Sequence, residues 1–190
     1  MQQLLVVDVE TGGLDPFSHS ILSLSACAWT MEKTVPLFST LIDEGGKLYF
    51  TSEAMHVNKL SLSDIKSKGL SPQATVKGLR KALDGHYGAD RDKLILAGNN
   101  INFDHSFLQR LFWLAGEKMG RDFSPFTLDV FSILRAEQLK GNLPEGPVNS
   151  KMLYDITGLC PDEEDVHTAK GDCYSTAEAL RCILNEVHLK

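Results

Sequence analysis

The pattern of apolar positions predicts three strands at the start of the chain. Residues 4–7 form a continuous apolar run, which is typical of a strand buried on both faces. Two further apolar stretches, at 21–29 and 35–42, follow after short gaps, and the first gap carries the turn-forming residues 12–16, Gly-Gly-Leu-Asp-Pro. Because short gaps suit hairpins, we expect these three strands to pair as an antiparallel meander.

The rest of the chain alternates between helical patterns and short apolar runs. Ser52 predicts the cap of one helix, and Ser71 followed by Pro72 predicts the start of the next. Further helices are predicted at 103–119, 130–139, 151–157 and 169–187, and strands at 94–98 and 127–128. Three strands followed by interleaved helices and strands predict an α/β fold, with a mixed sheet flanked by helices on both faces. We expect residues 1–190 to form a single domain.

Composition narrows the class of protein. Hydrophobic residues make up 43% of the chain, an ordinary globular content, and the net charge is −6. An acidic balance argues against extensive binding of duplex DNA, which relies on neutralising phosphates. The four cysteines lack CxxC or zinc-site spacing, so we expect reduced thiols. The N-terminus has no basic region before its short apolar run, and we expect a cytoplasmic protein.

Candidate chemistry lies in three distant segments that each place an acid at the edge of a predicted element. Asp8 and Glu10 end the first strand on one face of it, and Asp104 lies at the start of a helix. Asp172 lies in the first turn of the last helix, five residues after His167. Each also has an ordinary interpretation when it is taken singly. Asp8 and Glu10 would be surface acids, Asp104 would interact with the helix dipole, and His167 would be a surface histidine. Together, four carboxylates in one cleft would repel each other unless cations neutralise them, which predicts a metal site beside a titratable base.

The three segments resemble the motifs of one family, the DEDDh 3′-to-5′ exonucleases. Its motifs DxE, NxxFD and HxAxxD are matched in order by Asp8 and Glu10, by Asn100, Phe103 and Asp104, and by His167, Ala169 and Asp172. Within the family, the chain looks most similar to the ribonuclease T and DNA polymerase III epsilon types. The resemblance implies a ribonuclease H-like fold, in which helices flank a five-stranded mixed sheet.

The same resemblance implies two Mg²⁺ or Mn²⁺ ions as cofactors. Asp8 would bridge both ions, Glu10 and Asp172 would complete one site, and Asp104 would hold the other largely through water. His167 would be the general base for the attacking water. The implied products are nucleoside 5′-monophosphates.

Substrate contacts are implied around the first two motifs. Thr11 and Gly12 follow the DxE motif, where family members hold the terminal 3′-OH, and Asn58 is placed near the scissile bond. Asn100 and Phe103 of the second motif complete this set. From the residues alone, a turn former is favoured for Asn100 over a residue that orients a metal-bound carboxylate, and a core position is favoured for Phe103.

Two positions depart from the ribonuclease T pattern. Leu14 and Val57 stand where that group has wedge phenylalanines, and Phe126 is a further candidate for stacking on a base. All three fit the hydrophobic core as well. Three lysines near Asn58 suit either phosphate binding or a solvated helix face: Lys59, Lys66 and Lys68.

The motifs favour an exonuclease that acts on the 3′ ends of single-stranded DNA or RNA. The alternative is a proofreading subunit within a DNA polymerase assembly, with the same chemistry. A homodimer is a further expected partnership. A catalytically inactive binding module on this fold is disfavoured, because all four acids and the histidine are present.

Overall fold

A central sheet organises the molecule, whose computed structural model describes residues 3–160 and 167–186. In this part of the chain the sheet has five strands: β1 (Leu4–Thr11), β2 (Ile21–Trp29), β3 (Thr34–Leu41), β4 (Leu94–Gly98) and β5 (Phe123–Asp129). Their order across the sheet is β3-β2-β1-β4-β5. The first three pair antiparallel, while β4 lies parallel to both β1 and β5. The predicted meander and mixed sheet are therefore confirmed.

Helices cover both faces of this sheet. The described residues form seven: α1 (Ser52–Asn58), α2 (Leu62–Lys68), α3 (Pro72–Tyr87), α4 (Ile101–Leu114), α5 (Val130–Leu139), α6 (Ser150–Thr157) and α7 (Ala169–Glu186). A core on one face joins the sheet to α3 and α4, and a second core on the other face joins it to α5, α6 and α7. The predicted α/β architecture with helices on both faces is confirmed.

Strand alternation distributes the residues of β1 between these two cores. Leu5, Val7 and Val9 pack into the core beneath α3 and α4, and Val6 packs into the core beneath α7. Residues of even number therefore face α7. This parity decides where the acids at the end of β1 lie.

Several predicted boundaries differ from those in the structure. The first strand runs to Thr11 because β2 continues to pair with it, and β5 starts at Phe123 because β4 supplies its partner. The helix after β4 ends at Leu114, five residues early, and a short 3₁₀ turn follows at Met119–Arg121. The expected cap at Ser52 is wrong: the Thr51 side chain accepts the hydrogen bond from the Ala54 N–H. The acidic loop expected at 161–165 and the last residue of the 169–187 helix lie outside the described residues.

All four cysteines are free thiols, as expected, and Cys27 and Cys173 are buried. Within the described residues, no helix has both the length and the apolarity needed to cross a membrane.

Candidate active site

Three carboxylates meet at the end of β1 that follows the buried run. Asp8 and Glu10 on β1 and Asp172 on α7 each offer a carboxylate oxygen, and these atoms lie within 4.8 Å of one another. Even-numbered side chains of β1 face α7, so alternation brings both strand acids toward the first turn of that helix. The predicted grouping of these three acids is what the fold produces.

Asp104 reaches the same point from α4. The pairing between β4 and β1 stops at Val6, so the next part of β1 has no β4 neighbour in the register. The Val9 N–H donates instead to the Asp104 carboxylate at 3.0 Å. Asp104 is buried and is bonded to the strand that carries the other two acids. The sequence prediction that it joins the acidic set agrees with this geometry.

The start of α4 depends on an acid that the sequence interpretation missed. Asn100 has a left-handed backbone with φ of 52°, and its N–H donates to the Asp129 carboxylate at 2.8 Å. Asp129 ends β5 and also accepts the Ser132 hydroxyl at 2.6 Å. It therefore fixes the turn that delivers Asp104. An acid between a predicted strand and a predicted helix was the available signal, but it is also an ordinary helix cap.

Burial raises the pKa of all four acids in the set, and repulsion between the acids adds to this rise for Asp8 and Glu10. Burial is the largest cause for Asp8, followed by Asp104, Glu10 and Asp172, and its pKa lies well above the ordinary value. Burial and then Asp172 and Asp104 raise the pKa of Glu10 to about 8. Burial likewise raises the pKa of Asp104 to about 7, against the hydrogen bond from Val9. Such a site favours protonation or the binding of cations.

His167 lies beside this cluster, two residues before the first residue of α7. Its backbone is left-handed, with φ of 61°, and its side chain is exposed. Burial raises the pKa of Asp172 above its ordinary value. The charge of His167, and a hydrogen bond from the His167 backbone N–H to the Asp172 carboxylate, offset part of this rise. The expected neighbourhood of His167 and Asp172 is present.

A cleft of about 500 Å³ opens next to Glu10. Its walls come from the end of β1, the loop after it, α1 and the start of α4. It is lined by Val9, Glu10, Thr11, Gly13, Leu14, His19, Thr51, Glu53, Ala54, Val57, Asn58 and Phe103. The cleft and the acids form one site, because Glu10 belongs to both.

The aliphatic wedge candidates lie in this cleft with their side chains in solvent. Leu14 is 85% exposed and Val57 is 52% exposed, so the alternative of core packing is wrong for both. Phe103 is partly buried and packs on Phe107 with ring centroids 5.0 Å apart. It combines the two interpretations, since it belongs to the edge of the core and also lines the cleft.

Thr11 and Asn58 have structural roles at this wall. The Thr11 hydroxyl donates to the Gly13 carbonyl at 2.7 Å, and the Asn58 amide donates to the Thr11 carbonyl at 3.1 Å. Both residues are buried. Gly12 accepts the Thr51 N–H through its carbonyl at 2.7 Å. These bonds join the turn after β1 to α1 and shape the cleft.

Other sequence candidates lie away from the cleft. Phe126 is 77% exposed but lines a separate groove with Gln3, Leu4 and Lys93, near the start of β1 and β4. The structure thus does not bring it to the acids. Two of the three candidate lysines form ion pairs, Lys66 with Asp43 and Lys68 with Asp64. The solvated-face interpretation describes those two lysines better than a phosphate patch does.

Cleft residues that the sequence interpretation did not select include His19, Thr51 and Glu53. They come from the loop after β1 and from the start of α1. No spacing rule links them to the acidic motifs. Only the packing of α1 against the end of β1 brings them to the cleft.

Comparison with known proteins finds nucleases among the relatives of this chain. The chain is 27% identical to ribonuclease T from Hahella chejuensis over 192 aligned residues, covering 95% of this chain and 83% of that protein. It is 32% identical to the 3′-5′ DNA exonuclease Cap18 from Escherichia coli over 107 residues, covering 56% of this chain and 54% of that one. No protein-family model matches the chain.

The fold has solved counterparts. Exonuclease I from E. coli, solved with a dT13 oligonucleotide, superimposes with a TM-score of 0.78 at 16% identity. The match covers 96% of this chain but 41% of exonuclease I, so the chain spans less than half of that enzyme. Together these similarities confirm the ribonuclease H-like fold and the resemblance to DEDDh-type 3′-to-5′ exonucleases.

Proposed function

We propose that this chain, a DEDDh-type 3′-to-5′ exonuclease, hydrolyses the last phosphodiester of single-stranded nucleic acid with two divalent cations and releases nucleoside 5′-monophosphates. The observation that carries the proposal is the convergence of Asp8, Glu10 and Asp172, with ligand oxygens within 4.8 Å of one another at the edge of the cleft. Acids so close together are suited to binding cations.

The donor set fits Mg²⁺ or Mn²⁺. All the clustered ligands are carboxylate oxygens, which hard divalent cations prefer. Asp8, Glu10 and Asp172 would hold these ions, together with Asp104. When bound, such a pair neutralises the acids and stabilises the charge that develops on the attacking and leaving oxygens.

His167 would remove a proton from the attacking water. Its side chain is exposed beside Asp172, and its backbone is tied to that carboxylate. The exposed imidazole is free to approach a phosphodiester and return the proton to solvent. Histidine is the side chain that most often serves as a general base.

The cleft would receive the 3′-terminal nucleotide. Leu14 and Val57 expose apolar side chains at its mouth, and Phe103 lines it on the α4 side. An unpaired base can place its apolar face against such walls, whereas a base within a duplex has its faces covered by its stacking neighbours. The Thr11–Gly12 turn lies next to Glu10 and would position the terminal sugar. Thr11 and Asn58 would act here mainly by holding that turn.

The nature of the polymer belongs to this proposal as well. Relatives of the chain include proteins named as a ribonuclease and as a DNA exonuclease, and exonuclease I was solved with a single-stranded oligonucleotide. We therefore propose single-stranded 3′ ends as the substrate and leave DNA and RNA as two arms of the test. That the chain forms a homodimer, or works within a DNA polymerase assembly, remains a prediction.

Digestion of labelled single-stranded DNA and RNA oligomers tests the proposal. With Mg²⁺ we expect stepwise shortening from the 3′ end and nucleoside 5′-monophosphates as products, and with a chelator no reaction. Asp8→Asn and Asp104→Asn should each abolish the release of nucleotides. The far-ultraviolet circular dichroism spectrum of each variant should match that of the wild type, which shows that the fold is kept. Asp90→Asn is the matched control, because Asp90 is an exposed acid in the turn after α3.

Either of two results would contradict the proposal. Full activity in both site variants would remove the acids from the chemistry. Release of nucleoside 3′-monophosphates, or equal activity in chelator, would exclude the proposed hydrolysis with divalent cations.

A further inference from the structure

His19 lies on the loop wall of the cleft, where neither the motifs nor the mechanism gives it a role. It lines the cleft together with Gly13 and Leu14. Its ring lies against Gly13, because a side-chain carbon at that glycine would come within 2.5 to 2.7 Å of three ring atoms. The absence of a side chain at Gly13 therefore allows the imidazole to sit in this wall.

The loop around His19 fixes the orientation of the ring. The Asp15 N–H donates to His19 Nδ1 at 3.2 Å. The Asp15 carboxylate in turn accepts the Phe17 N–H at 2.9 Å and the Ser18 hydroxyl at 2.7 Å. These bonds make residues 15–19 a hydrogen-bonded turn that holds one nitrogen of the ring.

The role of this nitrogen determines what the other nitrogen can do. A neutral imidazole whose Nδ1 accepts a hydrogen bond carries its proton on Nε2, and a charged imidazole carries protons on both nitrogens. Nδ1 also lies 3.3 Å from the Asp15 carbonyl oxygen and from Ser18 Oγ, but its shorter contact is with the Asp15 N–H, which assigns it the acceptor role. With that assignment, Nε2 is a donor in either form. Among residues 3–160 and 167–186, nothing hydrogen-bonds to it.

We propose that His19 is a substrate-binding residue whose Nε2–H donates to an acceptor on the base of the 3′-terminal nucleotide. The inference rests on the function proposed above, in which the phosphate goes to the acids and the base enters the cleft. Leu14 and Val57 offer aliphatic contacts in place of aromatic stacking, so a hydrogen bond supplies a larger share of the grip. Pyrimidine O2 and purine N3 are acceptors on every standard base, so this contact tolerates any sequence.

Two substitutions separate the two nitrogens of His19. His19→Asn places an amide oxygen where Nδ1 lies, which keeps the acceptor for the Asp15 N–H but removes the donor. His19→Gln extends an amide N–H toward the Nε2 position, which keeps the donor but removes that acceptor. If His19 only supports the loop, Asn should be the milder change; if it contacts the base, Gln should be milder.

The test measures binding without cleavage and combines the His19 variants with two kinds of 3′ end. A single-stranded oligodeoxynucleotide with thymidine or an abasic tetrahydrofuran residue at its 3′ end is titrated by fluorescence anisotropy with Ca²⁺ present. We expect His19→Asn to raise the Kd for the thymidine end about 3- to 10-fold and to leave the abasic end unchanged, the range for one neutral hydrogen bond. His19→Gln should stay within about 2-fold of the wild type on both ends, because it keeps the donor.

Kinetics with Mg²⁺ provide the second readout. Loss of a contact made equally before and during reaction raises KM and leaves kcat nearly unchanged, which is the split expected for His19→Asn. Equal losses on thymidine and abasic ends, or a larger loss in His19→Gln than in His19→Asn, would overturn the assignment to the base. If the wild type neither binds nor shortens either oligomer, the proposed function itself fails.

Discussion

Replacing Glu10 by glutamine should stabilise the metal-free protein at alkaline pH while abolishing its activity. Burial and the neighbouring Asp172 and Asp104 carboxylates raise the pKa of Glu10 from 4.5 to about 8. A carboxyl whose pKa is raised by folding contributes its full stabilisation when the pH lies below the pKa that it has in the unfolded chain. That contribution is lost as the pH rises through the folded value, here between about 4.5 and 8. Glutamine keeps the shape of the side chain and removes the charge.

The size of the effect follows from the pKa. At ~1.4 kcal/mol for each pKa unit, the cost of ionising Glu10 at pH 8 reaches a ceiling of about 4 kcal/mol. Glu10 is partly exposed at the cleft, and water screens part of this repulsion. We therefore expect the variant to gain about 2 kcal/mol over the wild type at pH 8, which corresponds to about 4 to 8 °C in Tm for a chain of this length.

Thermal unfolding with chelator and with Mg²⁺, at pH 5 and pH 8, measures this gain. In chelator, the Tm difference between Glu10→Gln and the wild type should grow from pH 5 to pH 8. Added Mg²⁺ should stabilise the wild type at pH 8 and close much of that difference, because cations replace protons as the partners of the acids. Glu145→Gln is the matched control, since Glu145 is an exposed acid on the loop before α6.

Two outcomes would refute the electrostatic reasoning. A gain of equal size at pH 5 and pH 8 would mean that the substitution acts through packing and not through charge. A variant no more stable than the wild type at pH 8 in chelator would mean that the clustered acids do not strain the fold.

Two further changes probe the base and the turn. His167→Ala should lower the rate of nucleotide release about 10²- to 10⁴-fold while Mg²⁺ still raises the Tm, and loss of the Mg²⁺ effect would identify His167 as a ligand. Gly12→Ala should destabilise the fold by about 1 to 3 kcal/mol in chemical denaturation and reduce activity, because the new carbon would lie 2.1 Å from the Tyr49 carbonyl oxygen. Gly85→Ala in α3 meets no atom within 4 Å and should instead be neutral or slightly stabilising, so equal losses in the two variants would exclude the steric cause.

The acidic set was predictable because the local sequence pattern defines the position of each member. Alternation along β1 assigns Asp8 and Glu10 to one face, and the helical patterns place Asp104 and Asp172 in first turns. A three-part motif in the right order then predicted their convergence. The substrate side of the site was less predictable. Asn58 suggested a substrate contact, yet it is buried and bonded to the Thr11 carbonyl.

Local rules govern the elements and the order of the acids in this chain. Apolar runs, caps and side-chain alternation act over a few residues, so the strands, most helices and the parity of β1 follow from the sequence itself. The tertiary structure decided what lies between distant segments. Asp129 supports the turn before α4, and His19 enters the cleft beside α1, through contacts that no spacing encodes. Such contacts depend on how helices and loops pack across the sheet, and that packing is a property of the folded chain as a whole.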